Sequence, residues 1–242
     1  RALMPGLIDT HVHLCWSGEA APVETFFRER EEPSRLASRA AENALTALEC
    51  GITTVRDLGG LNEVTFPLRD AIEGGFIRGP RVVAAGAVIT TPSGHCHFMG
   101  RHASNATEAR AAAIAQIDAG ADVLKVMATG GMHTPGVDPR AVQFDTLALA
   151  TVAEVAHAAE RRVTAHATMS AAVASAVEAG IESVQHGGAL DVATARMMAS
   201  AGTTLTPTLG TRPAIERHAS DPRIPSYIVD KIRATQKEGR SG

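Results

Sequence analysis

Glu49-Cys-Gly-Ile-Thr-Thr-Val-Arg-Asp-Leu-Gly-Gly60 reads as the end of a helix, a glycine that stops it, a β-branched run and a polar close rich in glycine. The same order returns at Asp118-Ala-Gly-Ala-Asp-Val-Leu-Lys-Val-Met-Ala-Thr-Gly-Gly131, at Glu178-Ala-Gly-Ile-Glu-Ser-Val-Gln-His-Gly-Gly188 and at Ser200-Ala-Gly-Thr-Thr-Leu-Thr-Pro-Thr-Leu-Gly210. Gly51, Gly120, Gly180 and Gly202 stand where a helix needs a left-handed residue to end. Apolar stripes at helical spacing occur in this frame: Ala37, Ala40, Ala41 and Ala44; Leu149, Val152, Ala153 and Ala156; Val173, Ala176, Val177 and Gly180. Asn105 with Glu108, and Asp145, supply N-cap chemistry.

Strands are expected near 7–14, 53–58, 81–89, 123–128, 163–167, 183–187 and 203–209, with helices between them and a last helix from Pro225. Such alternation, with nearly continuous apolar strands, means a parallel sheet covered by helices. The expected class is α/β, a (β/α)8 TIM-like barrel in one domain over residues 1–242. Such a barrel takes about 250 residues and an eighth strand, which is not found after the last helix. The polar stretches Trp16–Glu32 and Pro92–Ala106 are expected as long loops over the mouth.

Composition narrows the partners. The 242 residues are 45% hydrophobic and carry a formal net charge of −3 without any basic run, so nucleic acid and anionic membrane surfaces are not expected as partners. No apolar stretch approaches the roughly 20 residues of a membrane span. Three widely spaced cysteines, Cys15, Cys50 and Cys96, read as reduced thiols and point to the cytoplasm. A small-molecule substrate is the expected partner, and a homo-oligomer is compatible with the sequence.

The chemistry sits at strand ends. In Gly6-Leu-Ile-Asp-Thr-His-Val-His-Leu14, His11 and His13 are two apart and face one side of a strand. Lys125 lies within the apolar strand Val123-Leu-Lys-Val-Met127, where an ammonium must be paired, neutral or chemically changed. His166 closes Val163-Thr-Ala-His and His186 closes Ser183-Val-Gln-His, the same position in successive units. Imidazoles gathered on one rim suit zinc and neighbouring divalent ions. Lys125 alone leaves open a Schiff-base enzyme, a reading that gives the paired histidines no role.

Pro5-Gly-Leu-Ile-Asp-Thr-His-Val-His13, followed in order by the lysine and two histidines, resembles the amidohydrolase superfamily along nearly the whole chain. Gly51-Ile-Thr-Thr-Val-Arg-Asp57 and Lys125-Val-Met-Ala-Thr-Gly-Gly131 resemble its branch of prolidase-like dipeptidases and imidazolonepropionase-like hydrolases. The resemblance implies two divalent ions, expected as zinc, with His11 and His13 on the first, His166 and His186 on the second, and a carboxylated Lys125 as the bridge. It implies hydrolysis of an amide, peptide or cyclic amide C–N bond in a dipeptide-like substrate by hydroxide held between the metals. The family's catalytic Asp of the eighth strand falls beyond this sequence, and of its N-terminal β-sandwich only Arg1-Ala-Leu-Met-Pro5 could be the tail. The expectation therefore divides between a hydrolase and an incomplete barrel that binds metal weakly without turnover. Thr168 replaces the tyrosine that dipeptidase-like relatives often carry two residues after the fifth-strand histidine.

Around this centre, His95 and His97 are expected to contact substrate, His97 the more so, and Arg101 to pair with a substrate carboxylate. Asp9 and Asp57 are expected to orient ligand histidines, with Asp57 equally able to pair with Arg56 or to cap a turn. Gly130, Gly131 and Met132 are expected at the mouth. His102, His133, His157 and His218 are expected in surface or structural positions.

Overall fold

The structure, a computed structural model, describes residues 3–19 and 21–236; Arg1, Ala2 and the last six residues, including the end of the expected last helix, lie outside the described residues. Strand β1 (Leu7–Val12) is followed by α1 (Pro22–Glu29), α2 (Pro33–Glu49), β2 (Ile52–Asp57), α3 (Asn62–Glu73), β3 (Arg81–Ala84), β4 (Val88–Thr90) and β5 (Gly100–His102). Then come α4 (Ala106–Asp118), β6 (Val123–Met127), α5 (Thr146–Ala158), β7 (Arg162–Met169), α6 (Ser170–Glu178), β8 (Ser183–Ala189), α7 (Val192–Ala201), β9 (Thr204–Thr206), α8 (Thr211–Arg217) and α9 (Ser226–Gln236). One sheet has the order β1-β2-β3 and the other β5-β4-β6-β7-β8-β9. Every pairing between these strands is parallel.

Local chemistry explains most boundaries. The four helix-ending glycines have φ of +86° at Gly51, +100° at Gly120, +80° at Gly180 and +71° at Gly202, values an L side chain resists. Asn105 accepts the Glu108 amide while Glu108 Oε2 accepts the Ser104 amide, and Asp145 accepts the Ala148 amide. The stripe on α2 is Leu36, Ala40 and Ala44, with Ala37 turned outward, so the helix is rotated from the expected face. The run 81–89 is two strands, because Gly86 has φ +64° and a Cβ there would meet Asn62 Oδ1 at 2.3 Å and Phe66 Cζ at 2.5 Å.

The two expected loops are structured. Residues 92–106 contain β5, which adds parallel to β4. Residues 16–32 contain α1, whose Phe26 packs with Trp16 and Phe98. Among only eight Phe, Trp and Tyr residues, Trp16, Phe26, Phe27 and Phe98 gather in this one place beside the strand ends. Elsewhere the core is mostly Ala, Val, Leu and Ile, with Phe66, Phe144, Met127 and Met198 among them, and is small enough for helices to lie close on the strands. The outer strands of the two sheets approach each other: Thr10 Oγ1 on β1 lies 3.2 Å from Thr206 Oγ1 on β9. Leu7 and Ile8 on one side of that seam, and Leu205 and Leu209 on the other, are exposed. Helix α9 ties down the loop after β6, with Lys231 Nζ donating to the carbonyls of Gly131 and Thr134 and Tyr227 Oη donating to that of His133.

Candidate metal centre

The carboxyl-terminal ends of β1, β6, β7 and β8 bring four imidazoles and one amine together. Ring centroids are 5.3 Å apart for His11 and His13, 5.0 Å for His11 and His186, and 4.6 Å for His166 and His186. Lys125 enters from β6, whose five residues are all buried, and its charge is felt at His11, His13, His166 and His186. Its Nζ is buried and has no hydrogen-bond partner among the described residues. Desolvation pulls its pKa down to about 7, so a neutral amine is within easy reach.

The imidazoles are neutral and tethered from behind. Burial is the leading cause that lowers each pKa: His13 to about 4, His166 to about 3, and His11 and His186 well below the ordinary value. His13 Nδ1 donates to the Gly59 carbonyl at 2.9 Å and His166 Nε2 donates to the Gly130 carbonyl at 2.8 Å. A carbonyl only accepts, so the opposite nitrogen of each ring is left with a free lone pair. His11 Nδ1 lies 2.8 Å from Gln185 Oε1, and His186 Nδ1 lies 2.8 Å from Thr208 Oγ1. Holding one nitrogen of a ligand histidine with an outer acceptor is how proteins orient metal-binding imidazoles. His186 at φ +75° and Thr208 at φ +46° both occupy the left-handed region, and that strain sits within the centre itself.

Among the described residues, no group of three or more His, Cys, Asp or Glu side chains is arranged to hold a metal ion as it stands. The donor chemistry nevertheless fits one. Neutral imidazoles with lone pairs to spare and an orphaned buried amine are what a divalent cation would satisfy, and Lys125 is the member that could become anionic.

The remaining expected residues divide. His95 is buried with its ring 4.5 Å from that of His166, and its Nδ1 lies 2.8 Å from Thr134 Oγ1. His97, expected to be the better placed of the two, instead donates from Nδ1 to the Gly94 carbonyl and turns its ring against Phe98. The reason is Cys96, whose φ of +56° reverses the chain between them. Arg101 is drawn away by Gln116, to which its Nε donates at 2.7 Å, because it lies on β5 under α4. Asp57 is buried and accepts the amides of Leu14 and Gly59, so it acts on His13 only through the Gly59 peptide. Burial raises its pKa to about 7. Asp9 caps the His11 amide and touches no imidazole in that bond. Thr168 donates to the Pro139 carbonyl. Gly131 lies so close to His95 that a Cβ would meet its ring at 2.3 Å, and Gly130 supplies the carbonyl for His166.

His102 and His218 are exposed and His157 meets Glu182 at 2.8 Å, all as expected of surface residues. His133 is different. Its Nδ1 is buried without a hydrogen-bond partner among the described residues, and its ring stands edge-on to Trp16, which stacks at 5.2 Å on His13. Trp16, His133, Gln185 and Thr208 are the neighbours that sequence reading missed, and Gln185 beside His186 was the signal closest to hand.

The profile of the Amidohydrolase family matches residues 2–240. The chain belongs to the amidohydrolase family. Within it, the chain falls in the prolidase-like branch. It is 29% identical over 214 residues to the ochratoxinase of Aspergillus niger, covering 76% of this chain and 43% of that protein. A prolidase solved with N-methylphosphonate-L-proline aligns with a TM-score of 0.87 and 29% identity, covering 98% of this chain and 61% of that one. A Xaa-Pro dipeptidase with bound methionine aligns at 0.84 and 29%, covering 95% and 59%. This amidohydrolase chain thus spans less than half the length of its curated relative and about three fifths of these structures.

Proposed function

We propose that this chain is the metal-binding body of a hydrolase that cleaves C–N bonds of amide, peptide or cyclic amide type in small dipeptide-like substrates. The two sheets are two arcs of one (β/α)8 barrel, and the β1–β9 seam is the place of its eighth strand. His11 and His13 serve one divalent cation and His166 and His186 a second, with zinc the expected metal. Lys125, about half of it in the neutral amine form near pH 7, would be able to add CO2 with loss of a proton and so supply a carbamate oxygen as an anionic ligand to such cations. When bound, such a pair of cations lowers the pKa of water between them and polarises a carbonyl.

The chain's own residues then hold and orient. His13 and His166 donate one ring N–H to the carbonyls of Gly59 and Gly130 and present the opposite nitrogen. His95, neutral because burial holds its pKa well below the ordinary value, would donate an imidazole N–H to a substrate carbonyl beside His166. Trp16 shields the outer face of His13 from water. The carboxylate that would move protons between water and leaving amine is expected on the eighth strand. Relatives named ochratoxinase, prolidase and Xaa-Pro dipeptidase put amides of carboxylated small molecules first among the candidates.

The observation that carries this reading is the convergence of four imidazoles and the unpartnered Lys125 from four different strands. Zinc titration with bicarbonate, read by calorimetry and metal analysis, tests it. Two ions per chain are expected, falling in His11→Asn and His166→Asn, with a 13C carbamate signal lost in Lys125→Met. A chain that retains no zinc, or retains it equally in all three variants, refutes the assignment. The open seam favours a second reading in which the chain binds metal but does not turn over. Dipeptides, N-acyl amino acids and lactones, assayed on this chain and on one extended through a further strand, separate the two.

A further inference from the structure

We infer that Gln185 is the positioning residue that decides which nitrogen of His11 is offered to a metal, an inference that deepens the metal-centre reading and rests on it. Consecutive residues of a strand face opposite sides, yet Gln185 and His186 both reach His11: Gln185 Oε1 lies 2.8 Å from His11 Nδ1, and the His186 ring is 5.0 Å from the His11 ring. The left-handed backbone at His186, φ +75°, breaks the alternation that would have sent one of them outward. A strained turn is thus used to deliver two neighbouring side chains to one imidazole.

The Gln185 amide is fully buried and fully engaged. Its Nε2 donates to Thr164 Oγ1 at 2.8 Å and to Ser183 Oγ at 3.0 Å. Both amide hydrogens are committed downward, so the oxygen faces the imidazole, and an amide oxygen only accepts. His11 must therefore carry its proton on Nδ1 and leave the Nε2 lone pair free. Were the amide reversed, an N–H would face Nδ1, the imidazole proton would move to Nε2, and His11 would be lost as a donor. Backbone carbonyls at Gly59 and Gly130 do this for His13 and His166 and cannot be mutated away; at His11 a side chain does it.

Long-range 1H–15N NMR on the metal-free protein reads the tautomer directly, with the His11 signals assigned from their loss in His11→Asn. The wild type is expected to show the Nδ1–H form. Gln185→Met is expected to give a mixture, and Gln185→Glu, which restores an acceptor, to return the Nδ1–H form. Thr164→Val removes one of the amide's two acceptors and is expected to move the balance the same way as Gln185→Met, by less. Zinc affinity is expected to fall about 10–100-fold in Gln185→Met and to recover in Gln185→Glu. An unchanged Nδ1–H signal in Gln185→Met overturns the inference; if that variant does not fold, an unchanged signal in Thr164→Val does so. A changed tautomer with unaltered zinc affinity overturns it as well. Failure of the wild type to bind zinc refutes the metal-centre reading instead, and the tautomer spectra still decide what Gln185 does.

Discussion

Replacing Lys125 by methionine should make the metal-free protein more stable. The amine is 1% exposed and its Nζ lacks a partner among the described residues. Its pKa falls from 10.5 to about 7, with desolvation the leading cause. At about 1.36 kcal/mol per pH unit, that depression means the buried amine costs the fold on the order of 4 kcal/mol at pH 7. Methionine fills much the same volume and asks for no solvation, so a gain of roughly 2–4 kcal/mol is expected after local relaxation. The pH dependence provides a second check. Between pH 7 and 10.5 the unfolded chain holds this proton and the folded chain does not, so wild-type stability should climb with pH through that window. The variant lacks that rise, and its advantage should shrink toward zero near pH 10. Urea denaturation in CO2-free buffer with a chelator, at pH 7, 8.5 and 10, measures both. If Lys125→Met is less stable than the wild type at pH 7, or its advantage does not change with pH, the amine is already satisfied in the fold and the argument for a waiting centre fails.

Three further outcomes follow from the same geometry. His186→Gly should be more stable than His186→Ala by about 1 kcal/mol, reversing the usual order in a strand, because φ +75° is left-handed; equal or opposite stabilities by urea denaturation would show that the turn is not strained. Metal-free protein should lose thermal stability as pH falls below 6.5, since the unfolded chain takes protons that the folded His13, His133 and His166 accept only near 4, 4 and 3. Asp57, held up to about 7 and so favouring the fold as pH drops toward 3.8, offsets only one of these, and a flat Tm between pH 7.5 and 4.5 would contradict the burial of the imidazoles. In an active form, His95→Ala should lower kcat/KM by about 10²-fold while His97→Ala changes it little; comparable losses would put both histidines on the substrate.

What could be read from the sequence follows how far each feature depends on distant chain. The glycine stops and the caps at Asn105 and Asp145 are decided within four residues, and each appears where its own backbone demands. The histidines and Lys125 stood out because polar groups at the ends of apolar parallel strands have few other reasons to be there, and the parallel register sets β6 beside β7 and β7 beside β8. The partners of those histidines were hidden for the opposite reason. Gln185 reaches His11 across 174 residues of sequence, and a glutamine one step out of register reads as an outward residue until the left-handed turn at His186 is known. His95 and His97 looked equivalent by alternation, which fails at Cys96 for the same cause. Arg101 looked free because residues 92–106 carried no strand signal, although three of them pair with β4 and place the arginine under α4. In this chain the pattern of twos locates the strands, and the residues that break it, Cys96, His186 and Thr208, lie against the candidate centre. Left-handed non-glycine residues at the carboxyl-terminal side of strands, as at His186 and Thr208, therefore mark where side chains are forced inward, whereas Glu160, left-handed in the turn before β7, is exposed and marks no such place.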